Sequence, residues 1–104
     1  MTRNNLSLSR LQTLLQKIPR GKVTTYAEMA KAMGTPHGAR AVGTLLGKNP
    51  DPNAFPCCKV VRSDGTVGGY ALGTTEKIRR LSEEGIPIVR GKVVDFQRYL
   101  FRFS

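Results

Sequence analysis

Two cysteines stand side by side at 57 and 58, in the run Phe55-Pro56-Cys57-Cys58-Lys59-Val60-Val61. A thiol does nucleophilic chemistry only as its thiolate, and an unperturbed cysteine with a pKa of about 8.5 is ionised to roughly 3% at pH 7. A reactive sulfur here therefore needs a base or a positive charge beside it. A disulfide is the poorer reading, because joining adjacent cysteines closes a small strained ring and a cytosolic redox poise keeps thiols reduced. Zinc is also excluded as a pattern: the one histidine, His37, is far from the cysteines in the chain, and no four-ligand spacing can be assembled.

The sulfur pair sits on a strongly basic chain. Seventeen Lys and Arg against seven Asp and Glu give a net charge of +10 over 104 residues. The usual partners of such a field are phosphate backbones, anionic membranes or acidic proteins, and nucleic acid is the favoured one. An apolar content of 39% suffices for one modest core, so a single domain over residues 1–104 is expected. The polar start Met1 to Ser7 lacks a signal-peptide pattern, and no segment approaches the roughly 20 apolar residues of a membrane span. The expectation is a soluble intracellular chain, cytoplasmic or, in a eukaryote, nuclear, with no membrane partner, no cofactor and no metal, acting as a monomer.

Several short elements must position the thiols. Leu8, Leu11, Leu14, Leu15 and Ile18 recur at helical spacing and predict an amphipathic helix over Leu6–Ile18, ended by Pro19-Arg20-Gly21. Thr25 caps a second predicted helix, Tyr26–Met33, stopped by Gly34. A third runs from about His37 or Gly38 to Lys48, before Asn49-Pro50. The second and third, joined by a tight glycine-containing turn, have the outline of a helix-turn-helix. Ala39, Ala41, Gly43 and Gly47 give the third helix a small face, and interior glycines costing about 1 kcal/mol each imply a close neighbour, either another helix or a nucleic-acid groove. A strand is predicted over Lys59–Arg62, a turn at Ser63-Asp64-Gly65, a glycine-rich loop over 68–73, a fourth helix over Thr75–Glu84, and a hairpin around Val89 to Val93 followed by a basic aromatic tail.

Arg40-Ala41-Val42-Gly43, Asn49-Pro50, Pro56-Cys57, Val60-Val61 and Val67-Gly68-Gly69-Tyr70, with Arg20 to Tyr26 ahead of the helix pair, closely resemble the C-terminal domain of O6-alkylguanine-DNA alkyltransferases. The resemblance covers about residues 18–85, and the family's usual N-terminal domain has no counterpart, so the chain reads as the DNA-binding and catalytic half alone. It implies an α/β domain of the small winged-helix kind, a helix-turn-helix gripping duplex DNA through the minor groove, and a flipped O6-alkylguanine whose alkyl group passes irreversibly to Cys57. Arg40 would fill the gap left by the extruded base. Tyr26 would crowd the target phosphate and donate a proton, and Thr25, Ala39 and Gly43 would lie against DNA. Asn49 would support the active-site turn, the backbone of Val60 would read the guanine edge, and Tyr70 and Ala71 would line the pocket. Glu84 falls on the family's acidic residue.

The chain departs from the family where the resemblance implies Pro-Cys-His-Arg-Val. Cys58 replaces the histidine that serves as base through water, and Lys59 replaces the arginine. A thiol cannot relay protons near neutral pH as imidazole does, so Cys57 would have to be ionised by local charge. Lys59, on the side of Cys57 if the run is extended, and a nearby helix terminus are the candidates. Glu84, catalytic by the resemblance, has no histidine to orient and would otherwise cap or pair with a cation. Two outcomes follow: transfer to Cys57 with a handicapped base, or the behaviour of the alkyltransferase-like proteins, which bind O6-alkylguanine without repairing it and flag it for excision-repair proteins.

Overall fold

Proline and glycine punctuate the chain where its helices end, and the computed structural model, which describes residues 7–70 and 72–103, follows that punctuation closely. Helix α1 is Leu8–Leu15, shorter than the periodicity implies. Ser7 caps it by accepting the Arg10 N–H at 3.1 Å. Its last turn tightens, with the N–H groups of Lys17 and Ile18 donating to Leu14 and Leu15, because a residue before Pro19 is driven out of helical geometry.

Strand β1 (Thr24–Thr25) leads straight into α2 (Tyr26–Ala32), and the Thr25 hydroxyl accepts the Glu28 N–H at 3.0 Å. Gly34, at φ +79°, ends α2 with the Thr35 N–H returning to the Ala30 carbonyl. Helix α3 is Ala39–Leu46, so the helix-turn-helix expected from the sequence is present. It packs with α1 and α2 around Leu11, Leu15, Met29, Met33 and Val42, all at most 1% exposed.

The expected strand over Lys59–Arg62 is instead a 3-10 turn at Cys57–Lys59 followed by β2, only Val60–Val61. Proline fixes the entry to this turn, and the Lys59 N–H donates to the Pro56 carbonyl at 3.1 Å. The correction matters because strand alternation no longer sets residues 57 and 59 on one face. β2 pairs in parallel with β1, Thr24 opposite Val60 and Thr25 opposite Val61.

Helix α4 is Thr74–Glu83, and β3 (Ile88–Val89) and β4 (Lys92–Val93) form an antiparallel hairpin. Arg90 and Gly91, at φ +53° and +75°, make the tight turn whose twist suits a two-residue hairpin. The hairpin is the wing. It is tied to the preceding loop by a bridge between Thr66 and Lys92, and with Val23, Val61, Val67 and Leu81 it encloses a second apolar cluster.

The basic aromatic tail is not loose. Phe96–Tyr99 form a short helix, α5, and the chain then runs beside β1, with Val23 donating to the Tyr99 carbonyl at 2.8 Å and Phe101 donating to Val23 at 2.7 Å. Phe101 and Phe103 meet edge-to-face at 5.1 Å and pack on the helical core. Among the described residues no helix is long and apolar enough to cross a membrane.

Candidate active site and nucleic-acid interface

The loop ahead of the thiols is fastened by its own side chains. Asn49 donates from Nδ2 to the Phe55 carbonyl at 2.7 Å and accepts the Asp51 N–H at 3.2 Å, while Asp51 accepts the N–H groups of Asn53 and Ala54. Asn49 thus supports the turn before Cys57, although it does not line the cavity.

Cys57 is 7% exposed, and it borders a cavity of about 200 Å³ with Tyr26, Gly43, Leu46, Gly47, Gly69 and Tyr70. That is below the roughly 300 to 1,000 Å³ of sites for drug-sized ligands, a size suited to one ring system. The glycines of α3 make this room: a β-carbon at Gly43 would meet nothing nearer than Tyr26 Cε1 at 3.9 Å. The close neighbour implied by the small face is therefore an open space. Beside the cavity runs a trough of about 670 Å³ bordered by Tyr26, Ala39, Arg40, Gly43, Arg62 and Gly69. Tyr26, Gly43 and Gly69 border both. The sulfur and Arg40 consequently reach adjoining spaces on one face of the molecule.

Tyr26 begins α2, and its partly buried hydroxyl lies 3.3 Å from where a β-carbon would stand on Gly68. Burial pushes its acidity down, the charge of Arg62 pulls the other way, and an ionised Cys57 adds to the burial effect. It is a phenol that holds its proton at neutral pH. Tyr70 closes another side of the cavity with Arg80 stacked 5.8 Å over its ring. Its buried hydroxyl has no hydrogen-bond partner among the described residues, and burial, followed by the charge of Cys58, pushes its pKa up to about 12. Ala71 lies outside the described residues.

Cys58 faces elsewhere. It borders a different cleft with Arg20, Pro56, Arg79, Arg80 and Glu84, and burial, followed by the charges of Cys57 and Glu84, raises its pKa to about 11. At neutral pH it is a protonated thiol.

Two expectations are corrected here, those for Lys59 and Thr25, while Glu84 pairs with a cation as expected. Lys59 is 2% exposed, and its ammonium is held by Glu84 Oε1 at 2.7 Å and the Pro19 carbonyl at 2.6 Å, so its charge is committed to those oxygens. Glu84 is the other half of that pair and also accepts the Gly21 N–H at 2.8 Å; it locks the turn at Gly21 to the 3-10 turn and is a positioning residue. Thr25 is 4% exposed with its hydroxyl spent on the cap, which leaves it a structural task and no surface for DNA. Val60 is fully buried, its N–H donating to the Cys57 carbonyl and its carbonyl accepting from Lys77, and it does not border the cavity.

Lys77 is the residue that sequence reasoning missed. It is 0% exposed, and Nζ donates to the carbonyls of Val60 at 2.7 Å and Gly69 at 3.1 Å, joining the thiol segment to the cavity rim. Burial lowers its pKa to about 8, opposed by the two cysteines when ionised. Lys77 thus shares its surroundings with both cysteines, while Arg80 and Lys59 also act on Cys58. Its signal in the sequence was spacing: Lys77 falls four residues before Leu81, on the inward face of α4.

Comparison with known proteins gives the family and the fold. The family described as 6-O-methylguanine DNA methyltransferase, DNA binding domain, matches residues 8–86. A relative from Picrophilus torridus named bifunctional methyltransferase/endonuclease is 50% identical over 93 residues, 89% of this chain and 31% of that protein. The chain thus spans about a third of the length of such curated relatives. Among solved structures, S. pombe Atl1 in complex with damaged DNA containing O6-carboxymethylguanine is similar with a TM-score of 0.80 and 29% identity, covering 98% of this chain and 99% of that one. The O6-methylguanine-DNA methyltransferase of Pyrococcus kodakaraensis gives 0.70 and 39%, covering 76% of this chain and 46% of that one.

Proposed function

Because the chain belongs to the family of 6-O-methylguanine DNA methyltransferase DNA-binding domains, we propose that it binds duplex DNA through α3 and the adjoining trough, receives an extruded O6-alkylguanine in the cavity, and transfers the alkyl group to Cys57. One observation carries the reading: of the two sulfurs, Cys57 borders the ring-sized cavity that opens beside Arg40, while Cys58 does not.

The reaction is a displacement at carbon. The Cys57 thiolate attacks the alkyl carbon, an S–C bond forms as the C–O6 bond breaks, and the electron pair leaves with the purine, which takes a proton to become guanine. Tyr26, protonated at neutral pH and bordering both spaces, supplies that proton and recovers one from solvent. With Cys58 protonated and Lys59 held by Glu84, Lys77 is the buried cation with which the charge of an ionised Cys57 interacts. Because the thioether is stable, each molecule reacts once. Arg40, exposed at the start of α3, occupies the space of the missing base in the duplex.

A second reading is favoured by the end-to-end match to S. pombe Atl1 and by the absence of an imidazole base at position 58: the domain grips the lesion without transferring it and leaves removal to excision-repair proteins. Intact-mass measurement after incubation with O6-methylguanine duplex separates the two. Transfer adds about 14 Da, the mass of a methylene replacing the thiol hydrogen's place as methyl, and Cys57→Ser abolishes the gain. Lesion-preferring binding without any gain in mass would select the second reading.

A further inference from the structure

Arg62 has a fixed base and, among the described residues, a guanidinium in no ion pair, with the exposed Asp64 as its nearby carboxylate. It follows β2 directly, its N–H donates to the Thr66 carbonyl and its carbonyl accepts the Gly65 N–H, both at 2.9 Å, which pins its backbone in a turn. Arg79, Arg80, Lys31, Lys59 and Arg102 all pair with carboxylates. Among the described residues no such ion pair or side-chain hydrogen bond engages the exposed guanidinium of Arg62.

Its position is specific. A β-carbon built on Gly68 would lie 3.6 Å from Arg62 Nε and 3.3 Å from the Tyr26 hydroxyl, so the two groups flank one glycine, next in the chain to Gly69, which borders the Cys57 cavity. Gly68, at φ +73°, is in the left-handed region where a side chain is disfavoured, and its bareness keeps this spot open. Arg62 borders the trough that holds Arg40, and also a smaller cleft on its other side with Thr66, Gly68, Gly69 and Thr74. Its charge reaches Tyr26, whose acidity it raises against the effect of burial.

A nucleotide whose base enters the cavity leaves its phosphate outside, at the rim. A guanidinium presents paired N–H donors to phosphate oxygens and keeps its charge at every physiological pH. We propose that Arg62, beside the Tyr26 hydroxyl, forms a phosphate subsite that holds the backbone of the extruded nucleotide while its base occupies the cavity. This rests on the reading that a nucleotide of duplex DNA enters there. Arg40 and Arg62 then divide the work: one replaces the base within the duplex, the other retains the nucleotide outside it.

The test compares two substrates, duplex DNA carrying O6-methylguanine and the free base O6-benzylguanine, which has no phosphate. Arg62→Ala is expected to slow single-turnover alkylation of Cys57 by the duplex about 10-fold or more, and the reaction of the free base, which loses only the effect of Arg62 on Tyr26, by much less. Arg62→Lys recovers part of the loss, since a point charge replaces the fork. For lesion-duplex binding by Arg62→Ala, the dependence of log affinity on log salt becomes shallower by about one unit. Equal slowing with both substrates, or an unchanged salt slope, would overturn the subsite. If wild-type protein alkylates with neither substrate, the transfer reading has failed, and the salt slope alone decides the role of Arg62.

Discussion

Replacing Lys77 by Met removes a buried charge while keeping most of the volume, and the consequence can be worked from three groups. The ammonium donates to the Val60 and Gly69 carbonyls, and burial holds its pKa at about 8 against an ordinary lysine near 10.4. A lowered pKa means that the fold resists the charged form. Between about pH 8 and 10.4 the unfolded chain binds more protons than the folded one, so the Lys77 contribution makes stability rise with pH in that window and no further above it. Cys58 opposes this above about pH 9, since its raised pKa makes the folded state hold the extra proton. Between pH 7 and 9 the Lys77 effect amounts to roughly 1 kcal/mol, from one unit of pH at most of one proton. The assay is guanidinium unfolding under reducing conditions, wild type and Lys77→Met, at pH 7 and pH 9. The difference between the two proteins should shift by roughly 1 kcal/mol in favour of wild type at pH 9, with Cys58 cancelling from the comparison. A shift of zero, or of opposite sign, would refute the claim that burial makes the fold resist the charged form of Lys77.

Two further outcomes follow from the site. Cys58→His restores an imidazole beside Glu84 and should speed single-turnover transfer about 10-fold or more, the low side of what a placed base contributes; a flat or slower rate would refute the argument that position 58 handicaps Cys57. Arg40→Ala should weaken binding to lesion duplex by about 1 to 3 kcal/mol, measured by fluorescence anisotropy, whereas Lys17→Ala, just past the end of α1, should cost much less; equal losses would count against base extrusion.

The helices were legible because each carries both a period and a stop: Thr25 as cap and Gly34 as end for α2, Leu11 to Leu15 as the inward face of α1. The hairpin was legible from Arg90-Gly91 between β-branched residues, and the family from motifs at fixed spacing. Side-chain commitments were not. Lys59 looks like a partner for Cys57 when the run is drawn extended, but Pro56 starts a 3-10 turn, and Lys59 meets Glu84, 25 positions away. Lys77 reads as an ordinary surface lysine until α4 is docked, because a buried cation is identified by its acceptors, here the carbonyls of Val60 in β2 and Gly69 in the glycine-rich loop. Phe101 and Phe103 look like a tail because extended backbone beside β1 leaves no periodic signature over four residues.

The central claim concerns which sulfur reacts. Fragmentation of the tryptic peptide that spans Asn49 to Lys59, after incubation with O6-methylguanine duplex, assigns any methyl group to one residue of the pair. The account predicts methyl on Cys57 and none on Cys58. Methyl on Cys58, whose cleft lies apart from Arg40 and Tyr26, or on neither, would contradict it.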